Sequence, residues 1–503
     1  MTMPTTQRRG KVAAEFDLRG QAMDAPPGLD RRWVAGCGVA AAAILLSVQL
    51  LVPPVIGLAN NADFEKVMGY VGFQYLTDSY QDRYFSWTLT KFAIVQPGWY
   101  RSGYHTSETL LARVARLVAE FIAKEGLFDI RVLGALHIVL LLVAVGGIVA
   151  SCRDLNAATQ WLVASLLVFF FTDVGYAAPF NSFYSQTASL LFLMLSVAAA
   201  ARAMRLGRLE GWLLLTYFLC ALLFIGSKPQ ESVQGPLLAL FGLRLARTRW
   251  RNGWREPAAW MAIALCAFSF AYARLTPRSL RDAALYQVVF YEILPHSPSP
   301  ESDLEELDLN PQWLRYAGTT AWQQDTPFND PGFREEFSRR AGYARVFELY
   351  ARHPSRLEAV VRRGASVAWT LRPAGYGNFE KKEGLPPAKT TGAFAAWSSL
   401  RQHLDDHSLV WLGLLFVGNV GAVAATYGRA SGKSRFFREG ILLLVLMGAA
   451  DFTLCVLANA HTDLVRTLYT FEALCDLLLV ADAAWILEAL RRRTRSTAVP
   501  VPV

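Results

Sequence analysis

The feature that most constrains this chain is a series of apolar runs, each close to the ~20 residues a helix needs to cross hydrocarbon. They fall at residues 33–58, 131–151, 158–175, 184–201, 211–227, 232–246, 257–275, 407–427, 440–459 and 467–490. That is about ten spans, of which 211–227 and 232–246 are the shortest. Inside a bilayer each backbone group must find its partner within its own segment, so each run reads as a helix. Hydrophobic residues make up 53% of the chain and charged residues 18%, a balance that excludes both an ordinary soluble domain and a disordered one. The expected fold is all-α, a polytopic membrane protein.

The charges that do occur give an orientation. Arginines and lysines collect at Arg31 and Arg32, at Arg202, Arg205 and Arg208, from Arg244 to Arg255, from Arg429 to Arg438, and at Arg491 to Arg495. A ten-span arrangement puts every one of these clusters on one side, and short cytoplasmic loops retain such residues. Both termini are therefore expected in the cytoplasm, with the chain in the cell inner membrane. The net charge of +9 follows from topology and needs no nucleic acid partner. The first run is too long for a removable signal peptide. The six cysteines lie within runs or at cytoplasmic ends without zinc-site spacing, so neither disulfides nor a cysteine metal site is expected.

The expected division has a cytoplasmic tail over 1–32, a membrane domain over 33–275, an extracytoplasmic and mostly helical subdomain over 276–406, a second membrane part over 407–490, and a tail over 491–503. The two long outward segments are 59–130 and 276–406, and function is expected to face outward with them. Within the first, residues 107–124 place Leu110, Val114, Leu117 and Phe121 on one helical face and Arg113, Arg116, Glu120 and Lys124 on another. Two readings are open, a helix lying in the outer interface or one packed on the other loop.

Ionisable groups at span ends are costly and so are candidates for function. LANNADFEKV, residues 58–67, carries Asp63 and Glu65 just after the first run. Asp173 closes the third run, with Asn181, Ser182, Tyr184 and Gln186 in the tight connection to the fourth. SKPQES supplies Lys228, Gln230 and Glu231. ANAHTDLVRTLYTFEALCD supplies His461, Asp463 and Arg466, with Glu472 and Asp476 one turn apart. Each has a plainer reading: Asp63 as the N-cap of a helix starting at Phe64, Asp173 as a solvated boundary residue, Lys228 as a snorkelling side chain, His461 as a surface histidine, and Glu472 with Asp476 as a pair that orients helices. Together they suit glycosyl transfer from a polyprenyl phosphate sugar. A carboxylate can take the proton of an acceptor hydroxyl, while arginine and lysine hold the phosphate that gathers negative charge as it departs.

Several blocks carry a family resemblance. Carboxylates opening a long first outer loop resemble the GT-C superfamily of membrane glycosyltransferases. NNADFEKVM, PFNSFYSQTASLLF, SKPQ, YQVVFYEILPHSPSPESDLEELDL and HTDLVRTLYTFEALCD resemble bacterial glycan hexosyltransferases of the WsfD type. The resemblance runs in short blocks from Asn60 to Asp476. It implies Asp63 as catalytic base with Glu65 beside it, Asp173, Asn181, Tyr184 and Lys228 lining the donor or acceptor site, and His461 and Arg466 at phosphate or sugar; Gln186, Gln230 and Asp463 join them as candidate substrate-binding residues by their place at the span ends. The family pattern has Glu-Pro after the NSFYS block, where this chain has Gln186 and Thr187, and its last outer loop is richer in histidine and glycine.

The expected activity is transfer of a monosaccharide from a polyprenyl phosphate donor to a glycan, glycolipid or protein of the cell envelope, with inversion. The partners are thus the lipid-linked donor, the acceptor and the bilayer. No cofactor is firmly implied; a divalent cation, Mg or Mn, stays open because Asp63 and Asp173 could share one. The alternative class is a flippase, transporter or polymerase of lipid-linked glycans, for which paired broken helices and an internal repeat would speak; no repeat is visible.

Overall fold

The computed structural model describes residues 32–100, 105–122, 126–206, 210–247, 253–373, 378–458 and 463–497. Among the described residues, helices form at each of the ten apolar runs: α1 (Arg32–Leu50), α2 (Ile130–Ser151), α3 (Ala157–Phe171), α4 (Gln186–Leu206), α5 (Gly211–Ile225), α6 (Gly235–Ala246), α7 (Arg255–Leu275), α8 (Ser408–Tyr427), α9 (Gly432–Ala458) and α10 (Tyr469–Thr497). Among the described residues six helices are long and apolar enough to cross a membrane, or seven if α3 and the turn after it, bent by 60°, count as one. This is a multi-pass membrane protein. Fewer helices qualify than the ten expected, for visible reasons. α5 and α6 have 15 and 12 residues, and α10 carries Glu472, Asp476, Asp482 and Glu488 along its length.

The first run stops being helical at Leu50 rather than 58. Pro53 and Pro54 lack the N–H groups a continuing helix needs, and Pro53 pushes Val52 out of the helical region. Asn181 takes up the freed carbonyls, its amide donating to Leu50 O and Ile56 O at 2.8 Å each. Gly134 makes room for this, since a Cβ there would strike the Asn181 carboxamide.

At one end of the bundle Arg205 and Lys433 both hold Asp154, at 3.2 and 2.7 Å, and Arg244 meets Glu439 at 2.9 Å. The two long loops meet at the other end, where Thr90 donates to Glu380 (2.6 Å) and Lys381 pairs with Asp82 (2.8 Å). The chain is not purely helical. The first loop holds a three-stranded antiparallel sheet, β1 (Phe73–Gln74), β2 (Lys91–Ile94) and β3 (Leu127–Asp129), with Phe73 opposite Ile94 and Phe92 opposite Phe128. Strands of two to four residues leave no alternation to detect, so the all-α expectation missed them. Phe73, Phe92 and Phe128 are fully buried and pack around Phe183, with ring centroids 5.4, 5.1 and 6.1 Å from it. The sheet thereby fixes the residue next to Tyr184.

The expected amphipathic helix spans Ser107–Ile122. It packs inward through Leu111, Ala112, Ala115 and Ala119, while Leu110, Val114, Leu117 and Phe121 are left uncovered. Its first turn is pinned by Glu108, which lies 3.1 Å from His137 of α2, both fully buried. The 276–406 segment is mostly short helices around a core of Tyr286, Phe290, Trp313, Phe333 and Phe337. It is fastened to α10 by Arg401, whose guanidinium reaches both Asp476 oxygens at 3.0 Å.

Candidate functional site

The site forms where the strand of chain after α1 meets the turn before α4 and the turn Leu464–Thr467 before α10. Ala62 has a left-handed backbone, φ +76°, a conformation that costs a non-glycine residue about 1–3 kcal/mol and is found where surroundings hold it for a purpose. It bends the chain just ahead of Asp63 and the short helix Glu65–Val71. The Asp63 side chain makes no cap hydrogen bond to that helix, and Asn60 Oδ1 accepts from Phe64 N, just ahead of it, at 3.1 Å. Asp63 is therefore not consumed as an N-cap.

Its carboxylate is held by two cations. Oδ1 meets Lys66 Nζ at 2.5 Å, and Oδ2 accepts from Arg466 Nη1. Arg466 also pairs with Asp463, donates to Asn61 Oδ1 at 3.2 Å, and lies over the Tyr184 ring with its centre 5.4 Å away. Tyr184 braces the arrangement from below: its hydroxyl donates to Asn61 Oδ1 (2.7 Å) and accepts from Asn61 N (3.0 Å). Burial works against ionisation of Asp63, but the charges and hydrogen bonds of Arg466 and Lys66 override it and hold the carboxyl well below its usual range. Asp463 differs. There burial outweighs the pull of Arg466, and the carboxyl lies above its usual range. Two neighbouring carboxyls with opposite shifts and a shared arginine are the kind of arrangement that sorts acid from base.

Beside them opens a cleft lined by Leu58, Tyr184, Gln186, Arg372, Arg466 and Tyr469. Lys228 lies deeper. It is 7% exposed, its Nζ makes no hydrogen bond, and its charge acts on Asp463. An ammonium with three donors and no acceptor is an expensive thing to bury, and snorkelling does not describe it.

Other expected site residues have different employment. Glu65 turns away from Asp63 and accepts from the Tyr75 and Tyr84 hydroxyls at 2.7 Å each, a link that ties up the first loop. Asp173 is a double cap: Oδ1 accepts from Gly175 N at 2.8 Å, and Oδ2 from Trp397 N and Ser398 N at 2.8 and 3.0 Å. It joins the bend after α3 to the helix Ala396–Gln402. Among the described residues no three His, Cys, Asp or Glu side chains are grouped as metal ligands. Asn181 is the clamp described above. Gln230 donates to Thr467 O at 3.1 Å and so fastens the turn that carries Arg466. His461 lies outside the described residues. Glu472 and Asp476 stand apart from the cleft, Asp476 being the partner of Arg401. The sequence reading passed over Lys66, Asn61 and Arg372. Lys66 stood three residues after Asp63 on a helix, a spacing that brings opposite charges together; Arg372 carried no such signal.

Residues 31–499 match the family described as the YfdI N-terminal transmembrane domain. The chain belongs to that family. No curated protein matches the chain, and no solved structure does. The YfdI N-terminal transmembrane domain thus takes in α1 through α10 and both long loops, and the Asp63–Arg466 cluster joins residues from opposite ends of the region matched.

Proposed function

We propose that this YfdI-family membrane protein is a GT-C-type glycosyltransferase that moves a monosaccharide from a polyprenyl phosphate donor to an envelope acceptor. The reading rests on one observation: a carboxylate, Asp63, is paired with both Lys66 and Arg466 at the end of the bundle where both long loops gather, and Arg466 also lines the small cleft beside them. In the reaction the acceptor hydroxyl gives its proton to Asp63 as its oxygen bonds to the anomeric carbon. The bond from that carbon to the phosphate oxygen breaks, and the electron pair leaves on polyprenyl phosphate, where Arg466 and Lys66 neutralise it. A single displacement inverts the anomeric centre. All ten helices cross the inner membrane in this reading, with α5 and α6 short and α10 polar on the face it turns to the bundle. The basic end is cytoplasmic, both termini lie there, and the site faces outward.

A transporter or flippase reading has one feature in its favour, the group of Lys228, Glu231 and Asp451, which lie within electrostatic reach of one another in the interior. One experiment separates the two. Purified protein is incubated with a panel of polyprenyl phosphate sugars and scored for release of polyprenyl phosphate. Release supports transfer; passage of an intact lipid-linked sugar across proteoliposomes, with no cleavage for any donor, would select the transporter.

A further inference from the structure

Asp63 is placed as a base but is tied as a counter-ion, and the two roles conflict. A carboxylate bonded on one oxygen to Lys66 and on the other to Arg466 has its lone pairs directed at cations rather than at a hydroxyl. Both cations are still reachable from solvent, their side chains being 25% and 17% exposed. Lys228, buried with no hydrogen bond to its ammonium, also acts on Asp463, the second carboxyl paired with Arg466. Arginine and lysine are the groups that hold phosphate oxygens.

Resting on the donor reading above, we infer that Asp63 and the donor phosphate compete for Arg466 and Lys66, so that phosphate binding is the step that frees the carboxylate to act. Asp63 is then an internal stand-in for the phosphate. Without donor it neutralises Lys66 and shares Arg466 with Asp463; with donor it is displaced toward the cleft, where an acceptor hydroxyl arrives. The order of binding is set by this exchange, donor first and acceptor second, and an empty site holds no free base. The arrangement of Asn61 and Tyr184 under the guanidinium keeps Arg466 in place while its partner changes.

The competition has an outcome that neither a plain base nor a metal ligand shares. Loss of the carboxylate charge should tighten binding of phosphate. The test uses the full-length chain in lipid nanodiscs, titrated with a polyprenyl monophosphate that carries no sugar, with the matching polyprenyl alcohol as control. Asp63→Asn is expected to bind the monophosphate about tenfold tighter than the unsubstituted chain, because the competent state no longer has to be won from an internal competitor. Arg466→Ala is expected to bind it more weakly, and the double variant to resemble Arg466→Ala. Asp463→Asn, which relieves the same arginine without touching the base, is expected to tighten binding as well. Equal or weaker binding by Asp63→Asn, in protein that elutes as the unsubstituted chain does, overturns the competition while the donor reading stands. Absence of binding by the unsubstituted chain and by every variant overturns both.

Discussion

Arg466 Nη1 donates to Asp63 Oδ2 across 403 residues of sequence, so the loop that follows the first helix and the turn that precedes the last one meet at a single ion pair. Asp63 lies outside regular secondary structure, and Arg466 sits in a helical segment of only four residues, Leu464–Thr467. The pair is held by what lies around it: the sheet that fixes Phe183, the Tyr184 hydroxyl on Asn61, and Gln230 on the Thr467 carbonyl. Loops positioned by a rigid scaffold are where binding and chemistry concentrate.

Asp63→Asn should leave expression and membrane insertion intact, because the Asp63 side chain makes no cap hydrogen bond to the following helix. It should lower turnover by on the order of 10²–10⁴-fold, the usual worth of a positioned general base. Release of polyprenyl phosphate from a saturating donor measures it, and near-normal turnover would remove Asp63 from the base role. Glu65→Gln should instead cost stability more than turnover, because its carboxylate faces two tyrosines.

A pH prediction follows from the same pairing. In the free protein burial opposes ionisation of Asp63, while Arg466 and Lys66 more than compensate, so the folded carboxyl lies below its ordinary 3.8. With the folded value depressed, the ionised form and the stability it lends are present above the ordinary value and are lost only as pH falls through the lower one. The acid limb of kcat/KM, which reports the free enzyme, should not show Asp63 at pH 5. Lys66→Gln removes one compensating charge, and the limb should move upward. A limb that does not move on loss of Lys66 would mean that another group controls it.

How much of this was legible beforehand depends on the kind of signal. Apolar runs and basic clusters announced a bundle with two unlike ends, since bilayer length and charge retention act through composition alone. Asp63, Tyr184 and Arg466 could be picked out because polar groups beside apolar runs are rare. The uses of Glu65, Asp173 and Asn181 could not be read, because what separates a cap or a clamp from a ligand is where its hydrogen bonds go. Asp173 receives its N–H groups from Trp397 and Ser398, more than 200 residues away, and no local pattern encodes that. The short strands escaped for a different reason: their pairing partners are distant, and each is too brief to show a period.

The uncovered face of Ser107–Ile122 gives a prediction about the bilayer. Phe121 is 94% exposed and Leu117 67%, and with Leu110 and Val114 they form one apolar stripe beside a face already packed on the protein. A soluble surface rarely leaves such a stripe open, whereas an interfacial helix buries it among acyl chains. Cysteines placed at 117 and 121 in a chain freed of its own accessible cysteines should resist a water-soluble maleimide in vesicles and react after detergent is added. Rapid labelling in intact vesicles would place this face in water or against another protein.

Arg401 and Asp476 give the last prediction. Both are fully buried, and Asp476 also accepts from the Tyr176 hydroxyl at 2.7 Å and from Trp397 Nε1 at 2.9 Å. Arg401 in turn donates to the Trp369 carbonyl at 3.2 Å, so one side chain joins the 276–406 segment to the last helix. Two charges removed from water attract each other strongly, but most of that attraction only offsets their desolvation, and the consequence shows when one partner is removed. Asp476→Ala takes away the carboxylate bonded to a buried guanidinium, leaving Glu472 as a carboxyl within electrostatic reach, and should destabilise the protein by about 3–5 kcal/mol. Replacing both, as Arg401→Met with Asp476→Leu, removes the charges together and should recover much of that loss. Thermal unfolding in detergent reads the comparison. If the single variant melts with the unsubstituted chain, the segment is held to the bundle by its other contacts, and Arg401 contributes nothing that its neighbours do not.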